Sequence, residues 1–140
     1  MASVSTYLNF LGNTEEAFRF YASVFGTEFT APITRMSDAP HGATLSDAER
    51  NMVMHVSLPI AGGHLLMGTD MVASQGHELK LGNNMSISVH PNSRAEADQL
   101  YAALAEGGSE GTGMFEAPWN AYWGTTIDSF GIRWMFNVPN

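Results

Sequence analysis

Part of one amphipathic segment recurs eighty positions further along the chain. Glu16, Ala17, Tyr21 and Ala22 return as Glu96, Ala97, Tyr101 and Ala102. The elements predicted around the two segments also come in the same order, strand, helix and three strands. A chain that repeats a whole supersecondary unit is constrained to stack or pair two copies of it. The closing stretch, Trp119 to Phe136 (WNAYWGTTIDSFGIRWMF), shows the unit's last hairpin. Tyr122 to Ile127 reads as one strand and Ile132 to Asn137 as the next. Asp128-Ser129-Phe130-Gly131 forms the turn, with Gly131 supplying a positive φ and Asp128 able to hydrogen-bond into it.

In the first copy, Ser5 to Leu11 is short, aromatic and β-prone. Thr14 is placed to cap a helix, with Glu15 and Glu16 in the first turn where the helix dipole favours them. Ala17, Phe18, Tyr21, Val24 and Phe25 form its apolar stripe, and Gly26 ends it. Glu28 to Met36 reads as an edge or bulged strand because of Pro32. Ser37 to Arg50 reads as an exposed loop with a helical turn from Ser46. Met52 to Ile60 and His64 to Thr69 read as strands joined by Ala61-Gly62-Gly63.

Asp70 to Leu81 is polar, has no clear period and reads as a linker or ligand-facing loop. The second copy opens at Gly82-Asn83-Asn84 with a strand from Met85 to His90. Ser93 caps a helix whose buried face is Ala97, Leu100, Tyr101 and Leu104. Glu110 to Glu116 is a candidate strand before the final hairpin. The expected organisation is one domain over residues 1–140. Module one covers about 1–72, a linker about 73–81 and module two about 82–140.

Composition narrows the chemistry. The chain has no cysteine, which removes disulfides, thiolate nucleophiles and sulfur-ligated zinc and is compatible with the cytoplasm. The formal charge of −8 argues against nucleic acid and anionic membranes as partners. Apolar runs are too short to span a bilayer. The segment MASVSTYLNF lacks the basic and apolar regions of a secretory signal. No glycine-rich loop joins a strand to a helix in the nucleotide-binding manner, and no G-x-S-x-G is present.

Paired βαβββ modules resemble the vicinal oxygen chelate superfamily of glyoxalase I, extradiol dioxygenases, fosfomycin-resistance enzymes and bleomycin-binding proteins. Within it the chain is similar to the PhnB-like group. The resemblance is carried by Tyr7-Leu8, Gly12-Asn13, Glu16-Ala17, Phe20-Tyr21, Phe25-Gly26, Ile33-Thr34-Arg35, Met54-His55, Gly62-Gly63, Leu66-Met67, Gly82-Asn83-Asn84, Trp123-Gly124 and Asp128-x-Phe130-Gly131-x-x-Trp134. It implies an α+β glyoxalase-like fold, with two βαβββ modules forming curled mixed sheets around a cleft. It also implies modules paired within a chain or across a homodimer, and in many members a divalent metal held by the opening and closing strands. The corresponding positions here are Thr6 (or Tyr7 with a slip of one), Leu66 or Met67, Asn84 and Met135. None is an imidazole or carboxylate, so the usual chelating set is expected to be missing. Some members of the group carry a ubiquinone-methyltransferase label, but the chain shows no methyl-donor-binding loop.

Strand alternation then selects candidates for the cleft. Asn84, Ser86, Ser88 and His90 oppose Met85, Ile87 and Val89. Val53, His55 and Ser57 oppose Met54, Val56 and Leu58. Arg133, Met135 and Asn137 oppose Ile132, Trp134 and Phe136. His55 is the best catalytic candidate, able to act as base, ligand or hydrogen-bond donor, or else a satisfied half-buried histidine. His41, His64, His77 and His90 lie at turns or strand ends and read as surface residues. Arg35 can grip an anionic group or pair with a carboxylate such as Asp38. Trp119 and Trp123 can stack on a planar ligand, whereas Trp134 reads as core. The expected ligand-binding set is Arg35, His55, Asn84, Ser86, Ser88, Trp119, Trp123 and Met135.

The expected function is small-molecule binding in the cleft, without a cofactor or the usual metal. Two alternatives stand beside it. One is a divalent-metal-dependent lyase, isomerase or transferase; the other is a resistance-type binder of a cationic drug, suited to the acidic charge.

Overall fold

A computed structural model describes residues 1–40 and 42–140. His41, expected at the surface, lies outside the described residues. The chain divides into two compact units, residues 1–80 and 81–140. Each contains a four-stranded mixed sheet, curled rather than closed, with its first strand parallel to its last. No helix among the described residues is long and apolar enough to cross a membrane.

The first unit runs β1 (Thr6–Phe10), α1 (Thr14–Phe25), β2 (Thr34–Arg35), α2 (Asp47–Arg50), β3 (Val53–Pro59) and β4 (Leu65–Asp70), in sheet order β1-β4-β3-β2. Helix α1 buries Ala17, Phe18 and Tyr21 in a core that also holds Phe10, Val56, Leu58 and Leu66, with Phe18 edge-on to Phe10 at 6.3 Å. Gly68 permits this approach: a Cβ there would stand 2.6 Å from the Phe18 ring. The second unit runs β5 (Ile87–Val89), α3 (Arg94–Ala105), β6 (Phe115–Ala117), β7 (Ala121–Ile127) and β8 (Arg133–Pro139), in order β5-β8-β7-β6. Its core holds Trp134, Phe136, Ala97 and Leu104. The helices α1 and α3 keep the eighty-residue offset at both ends.

Four expectations need correction. Glu28 to Met36 is mostly not strand. Thr30 N–H still donates to Ser57 O, but only Thr34–Arg35 forms a ladder, because Pro32 has no N–H to give. Thr14 is not the cap of α1. Asn13 holds that position without a side-chain bond, and Thr14 is buried against Asp70. Asp70 is therefore no linker residue. It ends β4, is 4% exposed, and its Oδ1 accepts from Gly12 N–H, Thr14 N–H and the Thr14 hydroxyl while Oδ2 accepts from Val53 N–H. Finally, the strand expected from Met85 begins at Ile87. Ile87 pairs with Trp134, and β8 starts only one residue earlier, so Met85 has no strand residue to pair with and stands exposed.

Two further departures concern register and the approach to β6. Thr34 pairs with His55 but Arg35 with Val53, an irregularity that interrupts alternation in β3. Val53 is thereby buried and Met54 half-exposed, the reverse of strict alternation. The strand expected from Glu110 begins at Phe115, since Glu110 has a positive φ of 50°.

Candidate functional site

Each sheet has one face covered by its helix and one turned away from it. In the first unit the helix-free face carries Tyr7, Met67, Ser57, Thr69 and His55, all at least partly exposed. Register places Tyr7 beside Met67 and Met67 beside Ser57. Tyr7 Oη lies 3.2 Å from His55 Nδ1, and their rings are 5.8 Å apart at a tilt of 37°. A phenol against an imidazole presents one donor and one acceptor outward, whichever atom holds the shared proton. Thr6 Oγ1 makes a similar approach to His64 Nε2, 2.8 Å away. Thr6 and Leu66 share the helix-covered parity, so the two imidazoles belong to opposite faces of the sheet.

In the second unit the helix-free face carries Arg133, Met135 and Asn137 from β8. Ile127, Thr125 and Trp123 lie beside them on β7, and Ser88 pairs with Met135 from β5. These side chains are half-buried, except for exposed Ser88. At the far end Trp123 meets Trp119 edge-on at 5.2 Å and Phe115 edge-on at 5.7 Å. Trp119 and Phe115 are both exposed. Trp134 is fully buried and donates its indole N–H to Asp128 Oδ2 at 2.8 Å. That agrees with its expected core role.

The other candidates are dispersed. Asn84 and Ser86 precede β5 in an exposed segment. Ser88 Oγ faces His90 Nε2 at 3.3 Å. Arg35 is already engaged, but with Glu15 of α1 rather than with the side chain of Asp38. Its Nη1 and Nη2 donate to Glu15 at 2.7 and 3.2 Å, and Nη1 also donates to Asn51 O. Asp38 instead accepts from the Arg35 backbone N–H. Arg35, assisted by Arg19, holds the Glu15 carboxyl well down, from an ordinary 4.5 to about 2. Tyr7 and Arg133 stand out among the residues of the helix-free faces that were not in the expected ligand set. Tyr7 lies on the face of His55 in the first unit, and Arg133 shares the parity of Met135 in the second. Alternation already grouped Arg133 with Met135.

A divalent ion is implied by the fold family, and the donors present do not fit one. Tyr7, Met67 and His55 occupy the helix-free face of the first sheet and Met135 that of the second, offering phenol, thioether and a single imidazole rather than a set of imidazoles and carboxylates. Among the described residues no three His, Asp or Glu side chains converge as a metal site. His77 is used locally, its Nδ1 accepting from Val72 N–H.

This architecture is that of the glyoxalase/bleomycin resistance/dioxygenase superfamily. The family model described as 3-demethylubiquinone-9 3-methyltransferase matches residues 2–136, and the chain belongs to this PhnB-like family. The crystal structure of protein PA1353 from Pseudomonas aeruginosa is 32% identical, covers 99% of this chain and 98% of its own, and superposes with a TM-score of 0.85. A putative 3-demethylubiquinone-9 3-methyltransferase, PhnB protein, from Bacillus cereus is 25% identical over 98% of this chain and 99% of its own, with a TM-score of 0.79. Protein YjdN of Escherichia coli is 23% identical over 96% of this chain and 94% of its own length. A glyoxylase/bleomycin resistance protein/dioxygenase domain from Frankia, 14% identical with a TM-score of 0.64 over 100% of this chain and 97% of its own, shares the fold. The connections that lead into α1 and α3, Leu11-Gly12-Asn13 and His90-Pro91-Asn92-Ser93, are not glycine-rich nucleotide cradles.

Proposed function

We propose that the chain binds a small organic molecule against the helix-free faces of its sheets, using hydroxyl, imidazole, amide, thioether and indole groups rather than a divalent cation. One observation carries this reading. In both units the face away from the helix is lined by half-buried polar and polarisable side chains where a purely structural sheet would be either sealed or plainly solvated. The proposed assembly is a cytoplasmic homodimer, for which exposed Leu11, Leu81 and Met85 offer apolar surface.

Metal analysis after exhaustive dialysis, together with ligand-observed NMR against a library of small aromatic and carbonyl compounds, tests the proposal. Saturable binding by protein free of divalent ions is expected. A stoichiometric ion that survives dialysis, or a library with no saturable binder, contradicts it. The Tyr7–His55 pair favours a second reading, in which the first unit's face moves a proton on the bound molecule. That reading expects His55→Gln to abolish turnover of a compound that the protein still binds.

A further inference from the structure

Arg133 is poorly satisfied where it stands. The second unit has two cationic side chains, Arg94 and Arg133. Arg94 is fully engaged: it pairs with Glu116, donates to Asn140 and lies 4.7 Å over the Tyr122 ring. Among the described residues Arg133 reaches only Glu110, with Nη1 3.8 Å from Oε2 of a carboxylate side chain that is 73% exposed. An exposed pair at that separation contributes little. The Arg133 Nε is buried and has no hydrogen-bond partner among the described residues. A guanidinium carries five donors in a planar fork that suits a carboxylate or phosphonate. The side chain is 30% exposed, so an incoming anion can reach it.

The face it occupies continues in one direction. Met135 and Asn137 follow on the same side of β8, and Asn137 pairs with Trp123 on β7. Strand geometry puts Arg133 and Asn137 about 13 Å apart along the strand. Between them lies a flexible thioether; at the Asn137 end lies the edge-to-face cluster of Trp123, Trp119 and Phe115. The face is thus cationic at one end, adaptable in the middle and aromatic at the other.

We infer that the helix-free face of the second sheet binds an elongated organic acid, with its anionic group on Arg133 and an aromatic or flat apolar end against Trp123 and Trp119. This rests on the small-molecule reading above and specifies its ligand class. The acidic net charge does not oppose it, because long-range repulsion is screened beyond about 8 Å at physiological salt while the guanidinium contact is direct.

The test is calorimetric titration of the whole chain with three rod-like probes: biphenyl-4-carboxylate, biphenyl-4-carboxamide and 4-biphenylmethylammonium. The carboxylate is expected to bind about tenfold tighter than the amide, as a charge-assisted bidentate contact would give. Arg133→Gln should erase that preference and leave amide binding unchanged. Glu110→Gln, which frees the guanidinium from its competitor, should tighten the carboxylate about twofold. Trp123→Leu should weaken carboxylate and amide together. Thermal unfolding of each variant controls for folding, and Arg133→Lys, expected to retain part of the preference, supplies a second variant at the position. Carboxylate affinity untouched by Arg133→Gln, tighter binding of the ammonium, or no binding of any probe at millimolar concentration overturns the inference. Saturable amide or ammonium binding that ignores Arg133 would overturn it while leaving the small-molecule reading intact.

Discussion

In the first unit Asp70 stands at the C-terminal end of β4; in the second Asp128 directly follows β7, in the turn that leads to β8. Both are buried carboxylates, and both accept hydrogen bonds from backbone amides. Their reach differs. Asp70 joins the start of α1, the start of β3 and the end of β4, segments up to 58 residues apart. The described hydrogen bonds of Asp128 stay in its own turn and the following strand, where it accepts from Phe130, Ile132 and the Trp134 indole. Helix entry follows the same division. α1 depends on the distant Asp70, whereas α3 is closed locally, Ser93 Oγ accepting from Glu96 N–H and the Glu96 carboxylate from Asn92 N–H. Two copies of one supersecondary unit have thus arrived at a non-local and a local way of satisfying the same orphan amides.

That contrast is open to direct attack. Asp70→Ala strips acceptors from three backbone amides and a hydroxyl at once and should cost about 4 kcal/mol in urea denaturation. Asp128→Ala should cost about 3 kcal/mol, since the Phe130 and Ile132 amides it accepts from belong to a part-buried turn that water can partly resupply. The reverse order would break the distinction between the two anchors.

A smaller effect belongs to the first unit alone. Glu15, held near pH 2 by Arg35 and Arg19, has a folded pKa below its ordinary 4.5. Its contribution is therefore present above pH 4.5 and lost as pH falls toward 2. Glu15→Gln should flatten the fall in stability across that window. The effect should be modest, because a third of the side chain is exposed and water screens the pair. The smallest difference lies at the helix starts. Ser93→Ala should cost about 1 kcal/mol and Asn13→Ala less than about 0.5, since only Ser93 makes a side-chain cap.

Much of this frame is legible in the sequence because it is local. The helix stripe of Ala17, Phe18 and Tyr21, the turn from Asp128 to Gly131 and the core position of Trp134 each follow from spacings of a few residues. What is hidden depends on residues far apart. Asp70 looks like the first residue of a polar linker, because nothing in Asp70 to Leu81 points back to Gly12 and Thr14. Arg35 has a carboxylate three residues away, yet its side chain reaches Glu15, twenty residues back on α1. The burial of Val53 in place of Met54 comes from an irregular pairing with β2 that alternation cannot register. At the candidate site, alternation finds the face of Met135 and Ser88, but the approach of Tyr7 to His55 requires two strands that do not adjoin.

If the helix-free faces are where small molecules bind, methionine reports on it directly. Met67 lies on that face of the first sheet and Met135 on that of the second; Met36 is buried in the turn that follows β2, and Met1 and Met85 are exposed outside the strands. With methyl-labelled methionine, titration of small aromatic and carbonyl compounds should shift the Met67 or Met135 signals saturably and leave Met36 in place. Shifts confined to Met1 and Met85, or none at all, would contradict the claim.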